Sequence, residues 1–281
     1  MRARLSGYVV SDDDAFFYRY FGIGVTCPRD VREGVRTYAG APDDEGLVFE
    51  VNSPGGSLFA GLEMWTALMD SKRLYNIACT AEVQSIAASA ASVFIAGCDK
   101  VGISPVAQVM MHLPATTTQG NENDHRESLG MLVSGLESIL AAYETKCGKK
   151  TPREELEKLC RSTAFLTAKQ AVAVGIADYI IAYKAEDDAD PTSMVACVGA
   201  GIRSLASCAG LPDIAVLRAK YEASRDGGKS QTGGGDEGGT GDDPELVPGG
   251  TAADILSAGG PAINDDWRPR ARLEIEKLKF G

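Results

Sequence analysis

Ser85-Ile86-Ala87-Ala88-Ser89-Ala90-Ala91 is a run of small residues that sets a serine among alanines, and His112, one of only two histidines, follows 23 residues after Ser89. Upstream, Asn52-Ser53-Pro54-Gly55-Gly56 closes the apolar run Leu47-Val48-Phe49-Glu50-Val51, which reads as a buried strand. A serine hydroxyl is a weak nucleophile until a neighbouring imidazole takes its proton, and the oxyanion that its attack generates needs close backbone donors. A serine beside backbone that can be approached closely, a histidine on a following strand and a Gly-Gly turn ahead of both meet the requirements of acyl transfer. Taken alone, Ser89 equally fits a small residue packed in a tight helix, and Pro54-Gly55-Gly56 an ordinary turn. Ser85 and Ser92 are spaced to share a helical face with Ser89 and read as packing or capping serines.

Other reactive groups point elsewhere. His125 lies in the polar segment Asn121-Glu122-Asn123-Asp124-His125-Arg126 and reads as a solvated surface histidine. Two histidines without a His-Glu-x-x-His pattern argue against a zinc protease, and neither a metal nor another cofactor is implied. Gly228-Lys229-Ser230 ends like a phosphate-binding loop, but the first glycine of that motif would fall on Ala223. No ATPase is expected in the chain, and any energy-dependent unfolding would need a separate unfoldase.

The elements that must hold Ser89 and His112 alternate. Leu5–Val10 is a short apolar run, Pro28–Tyr38 a helix with Val31 and Val35 inward, Leu47–Val51 a strand, and Phe59–Ser71 a helix. Asn76–Ala81 reads as the next strand, and Ser89–Ala96 as a helix start so poor in bulk that another element must pack close to it. Val106–His112, bounded by Pro105 and Pro114, is a further strand. The longest helical signal, Asp124–Lys146, carries Leu129, Leu132, Leu136, Leu140 and Tyr143 on one stripe. Thr151-Pro152-Arg153-Glu154 and Thr167-Ala168-Lys169-Gln170 both have the form of helix caps, Gly175 stops the second helix, and Ile176–Ala182 returns to a strand. Strands alternating with helices in this order imply an α/β crossover architecture.

Composition bounds the function. The 281 residues, 44% of them hydrophobic, suffice for a substantial core. A net charge of −11 argues against nucleic acid as a partner. Seven widely spaced cysteines without a Cys-x-x-Cys pair read as reduced, mostly buried thiols of an intracellular protein. Asp12-Asp13-Asp14 follows Arg2 and Arg4 with no apolar segment between, so no signal peptide is expected, and no run approaches a membrane span. Pro191–Ser224 holds a modest helical pattern in which Ile214, Leu217 and Tyr221 share a face. These patterns divide the chain into a domain at 1–184, a partly helical extension at 185–225, a Gly/Asp-rich disordered linker at 226–251 and an amphipathic basic docking segment at 252–281, clearest at Arg268–Phe280.

The ordered series Val51-Asn52-Ser53-Pro54-Gly55-Gly56, Ala87-Ala88-Ser89-Ala90-Ala91, Val109-Met110-Met111-His112-Leu113-Pro114, and Phe165-Leu166-Thr167-Ala168 with Gly175-Ile176-Ala177-Asp178 resembles the Clp protease proteolytic subunit family over about residues 5–183. It looks most like that family's phage and prophage branch, which is associated with prohead maturation. The resemblance implies a ClpP/crotonase-like repeated β-β-α superhelix with a long protruding helix, here followed by a largely disordered tail. It implies a serine endopeptidase acting on capsid or scaffold protein as a homo-oligomeric ring or stack, in the cytoplasm of a bacterial host if phage-encoded.

Residue by residue, the same resemblance makes Ser89 the nucleophile and His112 its base, and gives the oxyanion hole to the backbone N–H groups of Gly55 and Ala90. The family's acidic third member falls at Thr163. A threonine hydroxyl can fix the imidazole tautomer but cannot stabilise imidazolium as a charge does. Three outcomes stay open: a Ser-His dyad oriented by Thr163 or a backbone carbonyl, a carboxylate reaching in from elsewhere, with Glu157 and Asp178 the first to inspect, or a weakly active or inactive assembly protein. A crotonase-like acyl-CoA enzyme shares the oxyanion-hole logic without needing the Ser-His pair.

Overall fold

In the computed structural model, which describes residues 1–43, 46–183 and 211–227, the apolar runs become parallel strands covered by helices. The order is β1 (Arg2–Val9), α1 (Asp12–Tyr20), β2 (Val25–Thr26), α2 (Pro28–Gly40), β3 (Leu47–Gly56), α3 (Leu58–Tyr75), β4 (Cys79–Ala88) and α4 (Ala90–Ala96). There follow β5 (Lys100–Ile103), β6 (Gln108–Met111), α5 (Glu122–Cys147), α6 (Arg153–Ser162), β7 (Ala164–Thr167), α7 (Ala168–Val174), β8 (Tyr179–Ile180) and α8 (Ile214–Gly227). The result is a mixed α/β fold around a parallel sheet in the order β2-β1-β3-β4-β5-β8, with β6 beside β4 and β7 antiparallel on β6.

β4 organises the site because its outer edge is shared. Its first half pairs with β5, Val83 opposite Ile103, and its last residues pair with β6, Ala88 opposite Met110. The strand expected at Asn76–Ala81 therefore lies further on: Asn76 caps α3 in the left-handed conformation (φ 53°), and the ladder starts only at Cys79. Ser85 consequently sits exposed on a strand and shares no helical face with Ser89. The Pro54-Gly55-Gly56 segment is likewise the end of β3, paired with Tyr8 and Val9, where a turn was expected.

Val31 and Val35 of α2, Leu68 and Met64 of α3, and Phe49, Val51, Ala81 and Val83 of the sheet are buried in one main core. The expectation that Ser89–Ala96 needs a close neighbour holds: a Cβ on Gly61 of α3 would meet Ala90 Cβ and the Ala90 carbonyl oxygen, each at 2.9 Å. The long helix runs from Glu122 to Cys147, but only its second half is covered; Leu136, Leu140 and Tyr143 are buried, whereas Leu129 of the expected stripe is exposed. Thr151 does not cap α6, whose N-cap is Pro152, and its hydroxyl donates to the Val174 carbonyl. Gln170 does close the Thr167 cap by accepting the Thr167 N–H at 3.0 Å. The strand expected at Ile176–Ala182 is confined to Tyr179–Ile180.

α8 docks on α1 and β2 in a second, smaller core. Leu217 is fully buried there with Val10, Ala15, Tyr18, Val25 and Cys27. Arg218 pairs with Asp14 at 2.9 Å and lies over the Phe17 ring, and Tyr221 packs edge-on to Phe16, Phe17 and Tyr20. Most of the segment 185–225, the linker at 226–251 and the docking segment at 252–281 lie outside the described residues. Among the described residues no helix is long and apolar enough to cross a membrane.

The contact between α3 and α4 leaves no room for a side chain at residue 61. Gly61→Val is expected to lower the unfolding free energy by about 2 kcal/mol or more through overpacking, read as a lower midpoint in urea denaturation.

Candidate active site

Ser89 stands between the end of β4 and the first residue of α4 with φ 54° and ψ −123°. A residue with a Cβ in this region costs on the order of 1–3 kcal/mol and persists only when its surroundings over-determine it. They do so here. The Ser89 N–H donates to the Met110 carbonyl at 3.0 Å, and its own carbonyl accepts the N–H groups of Ser92 at 2.9 Å and Val93 at 3.2 Å. On the β3 side the space is held open by Gly55 (φ 89°), where a Cβ would lie 2.6 Å from Ser89 Cβ and 2.5 Å from the Ala88 oxygen. This sharp strand-to-helix bend thrusts the hydroxyl out of the sheet.

The pairing of β4 with β6 brings the histidine to it. Ala88 opposite Met110 puts His112, just past the end of β6, alongside Ser89, and His112 Nε2 is 2.7 Å from Ser89 Oγ. Desolvation of the half-buried ring pushes its pKa below the ordinary 6.5, and the Leu113 backbone, in hydrogen-bond reach, partly opposes this. A ring neutral at pH 7 can accept the Ser89 proton.

The residue to which the resemblance assigns the third position, Thr163, carries no charge. β6 and β7 run antiparallel with Met111 opposite Ala164, and the ladder ends there, one residue short of His112 on one strand and of Thr163 on the other. Thr163 is the exposed C-cap of α6 (φ 52°), its N–H given to the Cys160 carbonyl. Glu157 is held by Arg161 at 2.6 Å, and Asp178 ties Lys146 at 2.6 Å to the Val101 N–H at 2.7 Å. Both carboxylates are structural, and among the described residues no carboxylate bonds to His112.

One expected oxyanion donor needs correcting. The Gly55 N–H donates to Ser53 Oγ at 3.1 Å, and that hydroxyl in turn donates to the Gly7 carbonyl at 2.6 Å, so the Gly55 amide is turned toward β1 and is occupied. Successive amides of a strand point to opposite sides, which directs the Gly56 N–H away from β1. Gly56 lines a cavity of about 250 Å³ together with Ser89, Ala90 and His112, and Gly55 does not. The rest of the cavity wall is mostly apolar, from Leu58, Val93, Pro114 and Ile139 among others, with Ser57, Thr116 and Tyr143 also lining it. Sequence reasoning missed Gly56, although it sat in the same motif, and read Tyr143 only as part of a helical stripe. Ser92 is buried and does pack, through its hydroxyl, against the Ser89 carbonyl and Tyr143. His125 is exposed on the first turn of α5, 3.4 Å from Thr118 Oγ1, and does not line the cavity.

A family model described as Clp protease matches residues 38–184, just over half of the chain. The chain belongs to the Clp protease family. Membership makes it a peptidase, a hydrolase of protein substrates in a family whose members typically assemble into oligomers. The matched region contains the strained serine, the histidine and β7; β1 and α1 precede it and α8 follows it.

The His112 ring should titrate below pH 6.5 in an NMR titration, because burial disfavours its charged form. Thr163→Asp, at the position to which the resemblance assigns the acid, should move that midpoint upward, while Glu157→Asp, at a residue paired with Arg161, should leave it unmoved.

Proposed function

We propose that the chain is a serine endopeptidase, and the observation that carries this reading is the 2.7 Å contact of His112 Nε2 with the hydroxyl of a serine held in strained backbone. Ser89 Oγ attacks the peptide carbonyl as His112 takes its proton, and the oxyanion is received by the N–H groups of Ala90 and Gly56. His112 then returns the proton to the leaving amine, and water releases the acyl group by the reverse sequence. The apolar cavity receives a substrate side chain. With no carboxylate on the imidazole among the described residues, the imidazolium formed at each step is less stabilised than in a complete triad, so turnover is slow and Thr163→Asp raises it by about tenfold or more.

For the substrate we propose a scaffold or capsid-protein segment of an assembling phage shell, or the chain's own tail. The support is the resemblance of the motif series to the phage branch, with an acidic Gly-rich stretch at 226–251 ahead of a basic end at Arg268–Phe280. A fluorophosphonate probe should label the protein at Ser89, and co-expression with the capsid protein of the same genome should give cleaved products. Both signals should vanish in Ser89→Ala; unchanged processing in that variant would refute the nucleophile.

We also propose a homo-oligomer joined through α5. Its exposed half carries Arg126, Leu129, Gly130, Val133, Ser134 and Glu137 around a single groove. Laid antiparallel on a second copy, that stripe is self-complementary: Arg126 meets Glu137, Leu129 meets Ser134, and Val133 enters the space left by Gly130, where a Cβ would meet no other element within 4 Å. A two-fold interface requires such self-complementarity. Val133→Asp should shift the assembly toward smaller species in light scattering, whereas a wild-type monomer at micromolar concentration would contradict the interface.

A further inference from the structure

The Ser89 carbonyl and the Ala90 N–H are two ends of one peptide group. That carbonyl accepts a third donor besides the two amides of α4, the Ser92 hydroxyl at 2.6 Å. Ser92 Oγ also lies 2.7 Å from the Tyr143 hydroxyl of α5, 51 residues away in sequence. Since the single Ser92 proton goes to the carbonyl, the Tyr143 O–H is the donor to Ser92 Oγ. Both side chains are almost completely buried, and burial pushes the tyrosine pKa up, so it keeps its proton. A serine that bonds back to the carbonyl three residues earlier is ordinary on an exposed helix. Here the serine oxygen is itself satisfied by a hydroxyl from another helix in a dry interior, where hydrogen bonds in series polarise one another.

We propose that Tyr143 and Ser92 form a directed hydrogen-bond chain that fixes and polarises the Ser89–Ala90 peptide group, so that the Ala90 N–H is held toward the cavity as a strengthened oxyanion donor. This rests on the serine-peptidase reading above. The two residues are positioning residues: they act through the peptide group of the nucleophile, and they tie its orientation to α5, the helix whose other half is exposed. No proton leaves the chain during reaction. Its effect is to enlarge the partial positive charge of the Ala90 N–H where negative charge develops on the substrate oxygen.

The test compares Tyr143→Phe, Ser92→Ala and the double variant with wild type in the full-length protein. The expected result is a kcat about tenfold lower in each, a fraction of what losing a whole oxyanion donor costs, with KM changed by less than about twofold. A peptide aldehyde, whose adduct carries the oxyanion, should bind weaker by the same factor. The acid limb of the pH profile should stay in place, and the double variant should be no slower than the worse single one, because both break the same chain. In NMR of the ligand-free protein the Ala90 amide proton should move upfield in both single variants. An unmoved Ala90 resonance, losses that appear only in KM, or multiplying losses in the double variant would overturn the inference. If Ser89→Ala abolishes turnover while Tyr143→Phe works as wild type, this inference falls and the peptidase reading stands. If wild type hydrolyses no peptide, the peptidase reading falls and the Ala90 resonance still decides whether the chain polarises that amide.

Discussion

The backbone of Ser89 is the constraint on which the site depends. A non-glycine residue at φ 54°, ψ −123° is stable only because three elements close on it at once. β6 accepts its N–H, α4 donates to its carbonyl, and β3 withdraws every side-chain atom at Gly55 to let it pass. The same β6 carries His112, so the bond that locks the serine's amide also sets the distance to its base. Geometry at the nucleophile and geometry of the pair are therefore one property of the sheet, created where β4 changes partner from β5 to β6.

Around this rigid centre the electrostatics are lopsided. The half-buried imidazole is poised as an acceptor, but no counter-charge awaits the imidazolium among the described residues. The two carboxylates that the sequence singled out are engaged elsewhere: Asp178 joins β5 to α5 through Val101 and the well-covered Lys146 amine, and Glu157 serves its own helix by pairing with Arg161. Pulling either into the site would break those contacts. Residue 163, the position to which the resemblance assigns the acid, holds a hydroxyl.

What could be read from the residues follows from what each signal measures. Ser89 and His112 were legible because a hydroxyl and an imidazole are distinctive groups, and α2 and α3 because one apolar face at helical spacing needs no partner to be seen. β4 is expected too early because Ala87 and Ala88 lack the branched side chains that mark a strand; they belong to it because they are fully buried and pair with Val109 and Met110 of β6. The occupied Gly55 amide was beyond the sequence because residue type does not show which way an amide points, and here that N–H is given to the Ser53 hydroxyl. Leu129 and Leu140 carry the same periodic signal, yet one is covered and the other bare, since periodicity finds a face without naming what lies against it. Tyr143 had a role beyond packing only once Ser92 was seen beside it.

The family match ends at residue 184, but the folded unit does not. Leu217 completes the small core over α1 and β2, and Tyr221 shields a cluster that includes Phe16, Phe17 and Tyr20. A chain cut after residue 184 would keep Ser89 and His112 yet lay bare the aromatic face of α1 that Tyr221 covers, and such a surface promotes clumping of otherwise folded molecules. Ancestry and self-sufficiency draw different borders on this polypeptide, and the practical one lies past residue 227.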